Sequence, residues 1–391
     1  MDDYHLKQIP IGKLIEFANT ALKDRATYPF LPISPERALS QANNPAASDD
    51  DIGLIVAYHR EKCIGYRGFM PCWAKADNKV HKIYAPTTFY VQPEYRRQKI
   101  FEDQTVATYI HTVFFKLGFD GLVTGSSRFS SRFYSRDSRF VPTPPLKYVR
   151  IRTGLFFPFS SVIKKIARIN ILRIVRPLLM WLSAVCSITI DWLVYQSVKM
   201  FLLPTLSDDI ECVKVENISE LTTDENISQP NTKMRGLRNE KIINWMMRFP
   251  WVMDDNQIKS DYYFATPRER FEFLPYHLMK KENNKLIGYA VFSLSTENGY
   301  TTLKMLDYKI INDNYRPYIL KLAFKIAAKE NANVIEGSND YWKYIKSSTL
   351  LRKVTGQHER SYYLWGKKGG VFEQHNFDFH LDYNDCDKPF T

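Results

Sequence analysis

A chain of 391 residues exceeds what one compact core usually organises, so two domains are expected. Hydrophobic residues make up 45% of it, with 24 tyrosines and 25 phenylalanines, which excludes a mainly disordered protein. The net charge of +12 is concentrated: no acidic residue occurs between Asp137 and Asp191, while Arg139, Lys147, Arg150, Arg152, Lys164, Lys165, Arg168, Arg173 and Arg176 supply nine cations.

Taken in chain order, Ile11, Leu14, Ile15, Ala18 and Leu22 have the spacing of an amphipathic helix, followed by a loop rich in Pro, Ser and Asn from Pro29 to Ser48. The runs Ile52 to Tyr58 and Lys62 to Met70, separated by the polar HREK, predict a hairpin, and Lys82 to Val91 predicts a third strand. Beyond Pro93 the period becomes helical, with Val106, Ile110, Val113, Phe114 and Leu117 on one side. A strand at Asp120 to Thr124, a helix at Ser126 to Arg139 and a strand at Pro142 to Ile151 complete a domain over 1–152.

Residues 153–206 turn basic and then apolar, and read as an inserted helical bridge. The uncharged run Pro177 to Ile190 is short for a membrane span. Two readings stand together for 161–203: an interfacial helix on an anionic membrane surface, with Trp181 and Trp192 at headgroup level, or a helical pair buried between domains. A true span is the lesser alternative. Nucleic acid is disfavoured because the basic residues alternate with aliphatics and no recognised module accompanies them.

After a polar boundary the second domain, 207–391, partly repeats the element order. A helix from Lys241 precedes strands at Asp261 to Ala265, Phe273 to Met279, Leu286 to Ser295 and Leu303 to Ile311; a helix at Tyr315 to Lys329 and a strand at Asn333 to Gly337 follow. The fold class expected is mixed α/β (α+β), two domains each with a central mixed sheet flanked by helices.

Five cysteines without a CxxC pair argue against a disulfide framework, and eight histidines without HExxH spacing argue against a metal site. The start MDDYHLKQIP has no signal-peptide pattern, so a reducing, cytoplasmic setting is expected, peripheral on the inner membrane face if 161–203 lies on lipid.

The stretch FYVQPEYRRQKIFEDQ lies between a strand and a helix, where backbone N–H groups can face a diphosphate. Its Val91, Pro93, Tyr95 and Arg96 resemble the acetyl-CoA loop of the GNAT acyltransferase superfamily, although Lys99 and Phe101 stand where that family usually has small residues, commonly glycines. Ser131, Phe133, Tyr134 and Phe140 in SSRFSSRFYSRDSRF resemble the family's later helix, with Arg139 in place of a glycine. The second domain resembles a GNAT core that has lost its phosphate loop, since NDNYRPYILKL has no glycine-rich turn.

The resemblance implies acyl transfer, commonly of acetyl, from acetyl-CoA or another acyl-CoA to an amine. It implies cofactor contacts from Val91, Arg96, Arg97, Gln98, Lys99, Ile100, Phe101 and Ser131, with Tyr134 as the acid that protonates the departing thiolate. The base stays open: Glu102 is the first candidate, with His81 and Tyr84 near the strand that lines the site, and ordinary structural roles compete for each. A small-molecule or glycan-precursor amine is the expected acceptor. The competing expectation is a non-catalytic binding protein of an envelope or surface-glycan pathway.

Overall fold

The computed structural model describes residues 4–76, 79–101, 103–117, 119–125, 134–153, 208–221, 234–236, 238–252, 268–338, 355–373 and 379–380. The bridge at 153–206 and the strand expected at 261–265 lie outside the described residues, apart from Thr153.

The first part opens with β1 (Tyr4–Pro10), α1 (Leu14–Lys23) and α2 (Pro35–Ala42). Leu14, Phe17, Ala18 and Ala21 carry the buried stripe of α1, while Ile15 and Leu22 are exposed. The i, i+3, i+4, i+7 set therefore runs one position away from part of the expected face. The α2 start is set by Ser34, whose Oγ accepts the Arg37 amide at 3.2 Å, with Pro35 in the first turn.

Then come β2 (Ile52–His59), β3 (Lys62–Ala76) and β4 (Lys79–Val91), an antiparallel meander whose first turn holds Arg60 at φ +55°. After β4 the chain makes a 3-10 turn at Pro93–Tyr95 and a small hairpin of β5 (Lys99–Phe101) with β6 (Gln104–Thr105). Only then does α3 (Val106–Phe114) begin, capped by Thr105 Oγ1 accepting the Thr108 amide at 3.3 Å. The helix expected beyond Pro93 starts at Val106. Asp103, held at φ +62°, turns the hairpin and delays it.

The strands β7 (Gly121–Gly125), β8 (Val141–Pro142) and β9 (Leu146–Arg152) follow. The second part contributes β10 (Ile210–Lys214), β11 (Met234–Gly236), α4 (Glu240–Arg248), β12 (Arg270–Lys280), β13 (Lys285–Glu297), β14 (Tyr300–Ile310), α5 (Arg316–Lys329), β15 (Val334–Ser338), β16 (Thr355–Arg360), β17 (Tyr362–Gly366) and β18 (Phe379–His380).

Two large mixed sheets result, of the class expected from the sequence. The first has the path β1-β2-β3-β4-β7-β17-β8 and the second β10-β12-β13-β14-β15-β9-β16. The last strands are exchanged. β9, which follows the first part's strands in sequence, sits between β15 and β16, while β17 sits between β7 and β8. The division of the sequence at 152 is therefore not a division of the sheets.

Burial explains why β9 is held there. Val149 and Ile151 point into the second core with Phe292, Leu303 and Ile335 under α5, and the alternate Arg150 bonds the buried Glu336 from Nε at 2.5 Å. Helix α4 lies between the two parts. Its Ile242, Trp245 and Met246 pack on Met70 and Ala85 of the first sheet, Trp245 Nε1 donates to the Ser40 carbonyl at 2.8 Å, and Ile243 packs on Val291 and Leu306 of the second.

Candidate active site

The parallel neighbours β4 and β7 are in register at Tyr84 and Leu122. β4 then runs on to Val91 and β7 to Gly125, with Tyr84–Leu122 their paired position among the described residues. β4 carries a bulge: Arg67 faces Phe89 and Phe69 faces Pro86, leaving Thr87 and Thr88 opposite Gly68. Gly68 is required there, because a Cβ would stand 2.8 Å from Thr87 Oγ1 and 3.0 Å from Thr88 Oγ1.

Tyr134 lies on the face of this sheet that α3 covers. It is 2% exposed and shares a core with Val91, Phe101, Ile110 and Phe140. Its ring stands 4.8 Å from Phe140 and 5.7 Å from Tyr363, the latter brought in by the exchanged β17. Its hydroxyl oxygen accepts from Arg67 Nη2 at 2.7 Å, and Thr124 Oγ1 on β7 lies 3.5 Å away. Arg67 is itself 7% exposed, with its guanidinium 5.1 Å from the centre of the Phe89 ring.

His111 on α3 completes this polar group, its ring 5.8 Å from that of Tyr134. Burial first, and then the charge of Arg67, push its pKa down to about 3, so it is a neutral imidazole at pH 7. The carboxylate of Asp137 is gripped by Arg139, from Nε at 2.8 Å and Nη2 at 2.6 Å, and this bonding holds it below the usual carboxylate range.

The loop residues fall into two groups. Val91 is 4% exposed and its carbonyl accepts Arg96 Nε at 2.9 Å, so the Arg96 side chain closes the turn on the end of β4. Gln98 Nε2 bonds the Glu94 carbonyl at 2.8 Å. Arg97 and Lys99 are exposed, Ile100 is half-buried, and Phe101 is buried with its ring stacked 4.5 Å from Tyr109. A phenylalanine replaces the expected small residue because its side chain builds the core beneath the hairpin. Lys99 carries a cation to the rim.

Glu102 and Ser131 lie outside the described residues. Of the other two base candidates, Tyr84 donates to Asp51 Oδ1 at 2.6 Å, and burial, then this bond, raises its pKa; the His81 ring lies edge-on to Phe372 at 5.7 Å. Sequence reasoning missed Arg67 and His111. The available signal was a cation two positions before Phe69 in the apolar run of β3, on the inward side of the alternation.

The described residues thus form two mixed sheets that exchange strands, with a bulge in β4 and a helix after the β5–β6 hairpin. Solved structures of N-acyltransferases are similar to the chain at low sequence identity. A GCN5-related N-acetyltransferase from Anabaena variabilis is 10% identical, with 93% of this chain and 72% of that one covered at a TM-score of 0.47. A probable N-acyltransferase from Enterococcus faecalis is 8% identical over 93% and 72% at 0.48. The N-myristoyltransferase of Saccharomyces cerevisiae, solved with bound myristoyl-CoA, is 11% identical over 94% and 79% at 0.47. No protein-family model and no curated protein matches the sequence. Among the described residues no helix is long and apolar enough to cross a membrane.

Proposed function

We propose that the chain transfers an acyl group from an acyl-CoA, acetyl-CoA in the first instance, to an amine. One observation carries this reading: the hydroxyl of the buried Tyr134 is fixed by Arg67 on β3 and Thr124 on β7, in the same core as Val91 at the end of β4. The amide-rich pantetheine arm would lie along the end of β4 on this reading, as a ligand that adds to a sheet edge does. The exposed Arg97 and Lys99 at the end of β4 suit the diphosphate by charge. They act as side-chain cations, since α3 starts beyond them.

Acyl-CoA supplies the activated thioester. The amine attacks its carbonyl carbon, the C–S bond breaks, and the Tyr134 hydroxyl gives its proton to the departing sulfur. Arg67, already bonded to that oxygen, balances the phenolate until it regains a proton from the newly acylated nitrogen. An amine on a glycan or envelope precursor, amino sugars first, is the acceptor this reading takes. The basic and apolar composition of 161–203 supports meeting such a precursor at the cytosolic face of an anionic membrane.

A second reading, a binding protein without turnover, draws on the β5–β6 hairpin that replaces a helix start at the loop. Calorimetric titration with acetyl-CoA separates the two. Binding in the micromolar range with CoA release in the presence of an amine supports the enzyme, and no heat at millimolar acetyl-CoA sinks it.

A further inference from the structure

A cation on a central strand at an inward position has to be compensated, and among the described residues no carboxylate compensates Arg67. Its hydrogen bond to Tyr134 uses one of five N–H groups. Nε is buried and has no hydrogen-bond partner, and no carboxylate pairs with the side chain, among the described residues. Asp137, the acid that acts with Arg67 on His111, is already committed to Arg139. An uncompensated buried charge is among the costliest groups a fold can hold. The Phe89 ring and the Tyr134 hydroxyl hold the guanidinium in place without neutralising it.

We propose that Arg67 binds a carboxylate carried by one of the two substrates, either the far end of the acyl group or the amine acceptor. The proposal rests on the acyl-transfer reading of the Tyr134 site. A planar guanidinium with donors to spare matches the two oxygens of a carboxylate in a bidentate pair, as it does those of a phosphate. The diphosphate is not the anion in question, because on the acyl-transfer reading the exposed Arg97 and Lys99 beyond β4 would meet it. The leaving thiolate is not either, since Tyr134 supplies its proton; what Arg67 lacks is a standing charge.

The test pairs acetyl-CoA or succinyl-CoA with ethanolamine or glycine and follows thiol release by the full chain, by Arg67→Gln and by Arg67→Lys. One carboxylate-bearing member should be preferred at least about tenfold in kcat/KM, the scale of a charge-assisted hydrogen bond. Arg67→Gln should bring the ratio toward one, and Arg67→Lys should restore part of it. Succinate and glycine are titrated separately by calorimetry, which needs no turnover: the wild-type chain should bind one of them at least tenfold more tightly than Arg67→Gln does. The proposal is overturned if no carboxylate is preferred in turnover, if Arg67→Gln lowers all four pairs equally, or if wild type and variant bind both acids alike. Carboxylate binding that depends on Arg67 without thiol release from any pair would uphold the site and refute the transfer reading alone.

Discussion

The exchange of β9 and β17 makes the two sheets one mechanical unit, and Ile151→Ala tests that directly. Ile151 comes from the part of the chain that otherwise builds the first sheet, yet its side chain is 2% exposed inside the second core. Truncation removes three carbons, worth roughly 2.4 kcal/mol at about 0.8 each. The cavity left among well-packed neighbours brings the loss to about 3–4 kcal/mol. If the sheets open together, native-state hydrogen exchange should show protection falling by more than roughly a hundredfold in β14 and β15 and also in β3 and β4, which the substitution does not touch. Unchanged protection in β3 and β4 beside a loss confined to the second sheet would refute the coupling.

Four further outcomes follow from the site. Tyr134→Phe should lower kcat by about 10²–10⁴, the range of general-acid contributions, while the acetyl-CoA Kd measured by calorimetry moves little; equal losses in both would remove its acid role. Gly68→Ala should cost about 1–3 kcal/mol in urea denaturation and weaken acetyl-CoA binding, because its Cβ would displace the Thr87–Thr88 bulge. Lys99→Glu should weaken acetyl-CoA several-fold at low salt and less at high salt; a salt-independent effect would contradict a rim charge. His111 has a pKa near 3 in the folded chain against 6.5 as a free group, so the unfolded chain binds more protons between those values and stability falls as pH drops through that window. Urea midpoints from pH 7 to 4 should lose less stability in His111→Gln than in the wild type.

Much of the element order is legible from local pattern, because burial of one face imposes a period on the residues themselves. The strands Ile52–His59 and Lys285–Glu297 and the helix Arg316–Lys329 show this. Three features escape that logic. The alternation along β9 marks which side chains are buried but not which sheet buries them, since its partners β15 and β16 lie far along the chain. The start of α3 was masked by the run KIFED, whose apolar residues suit either a strand or a first helical turn; the Thr105 to Thr108 cap is the local sign that the helix begins later. Tyr134 was found through a motif, whereas Arg67, its hydrogen-bond partner, belongs to no motif and is brought to it by the fold across 67 positions.

That last pairing decides how the loop and the tyrosine should be weighed against each other. A helix N-terminus and a glycine turn offer a diphosphate fixed backbone dipoles, and this chain gives up that geometry by building a hairpin over the Phe101–Tyr109 stack. On the acyl-transfer reading, the exposed Arg97 and Lys99 would replace those dipoles with side-chain charges, which attract a diphosphate but orient it less. Orientation would then come from the β4 bulge, Tyr134 and Arg67, held by buried packing and a 2.7 Å hydrogen bond. A phosphate end held by charge and a reacting end held by geometry would divide the labour differently from a glycine-rich cradle. Substitutions at the rim should accordingly change affinity, and substitutions at Tyr134 should change rate.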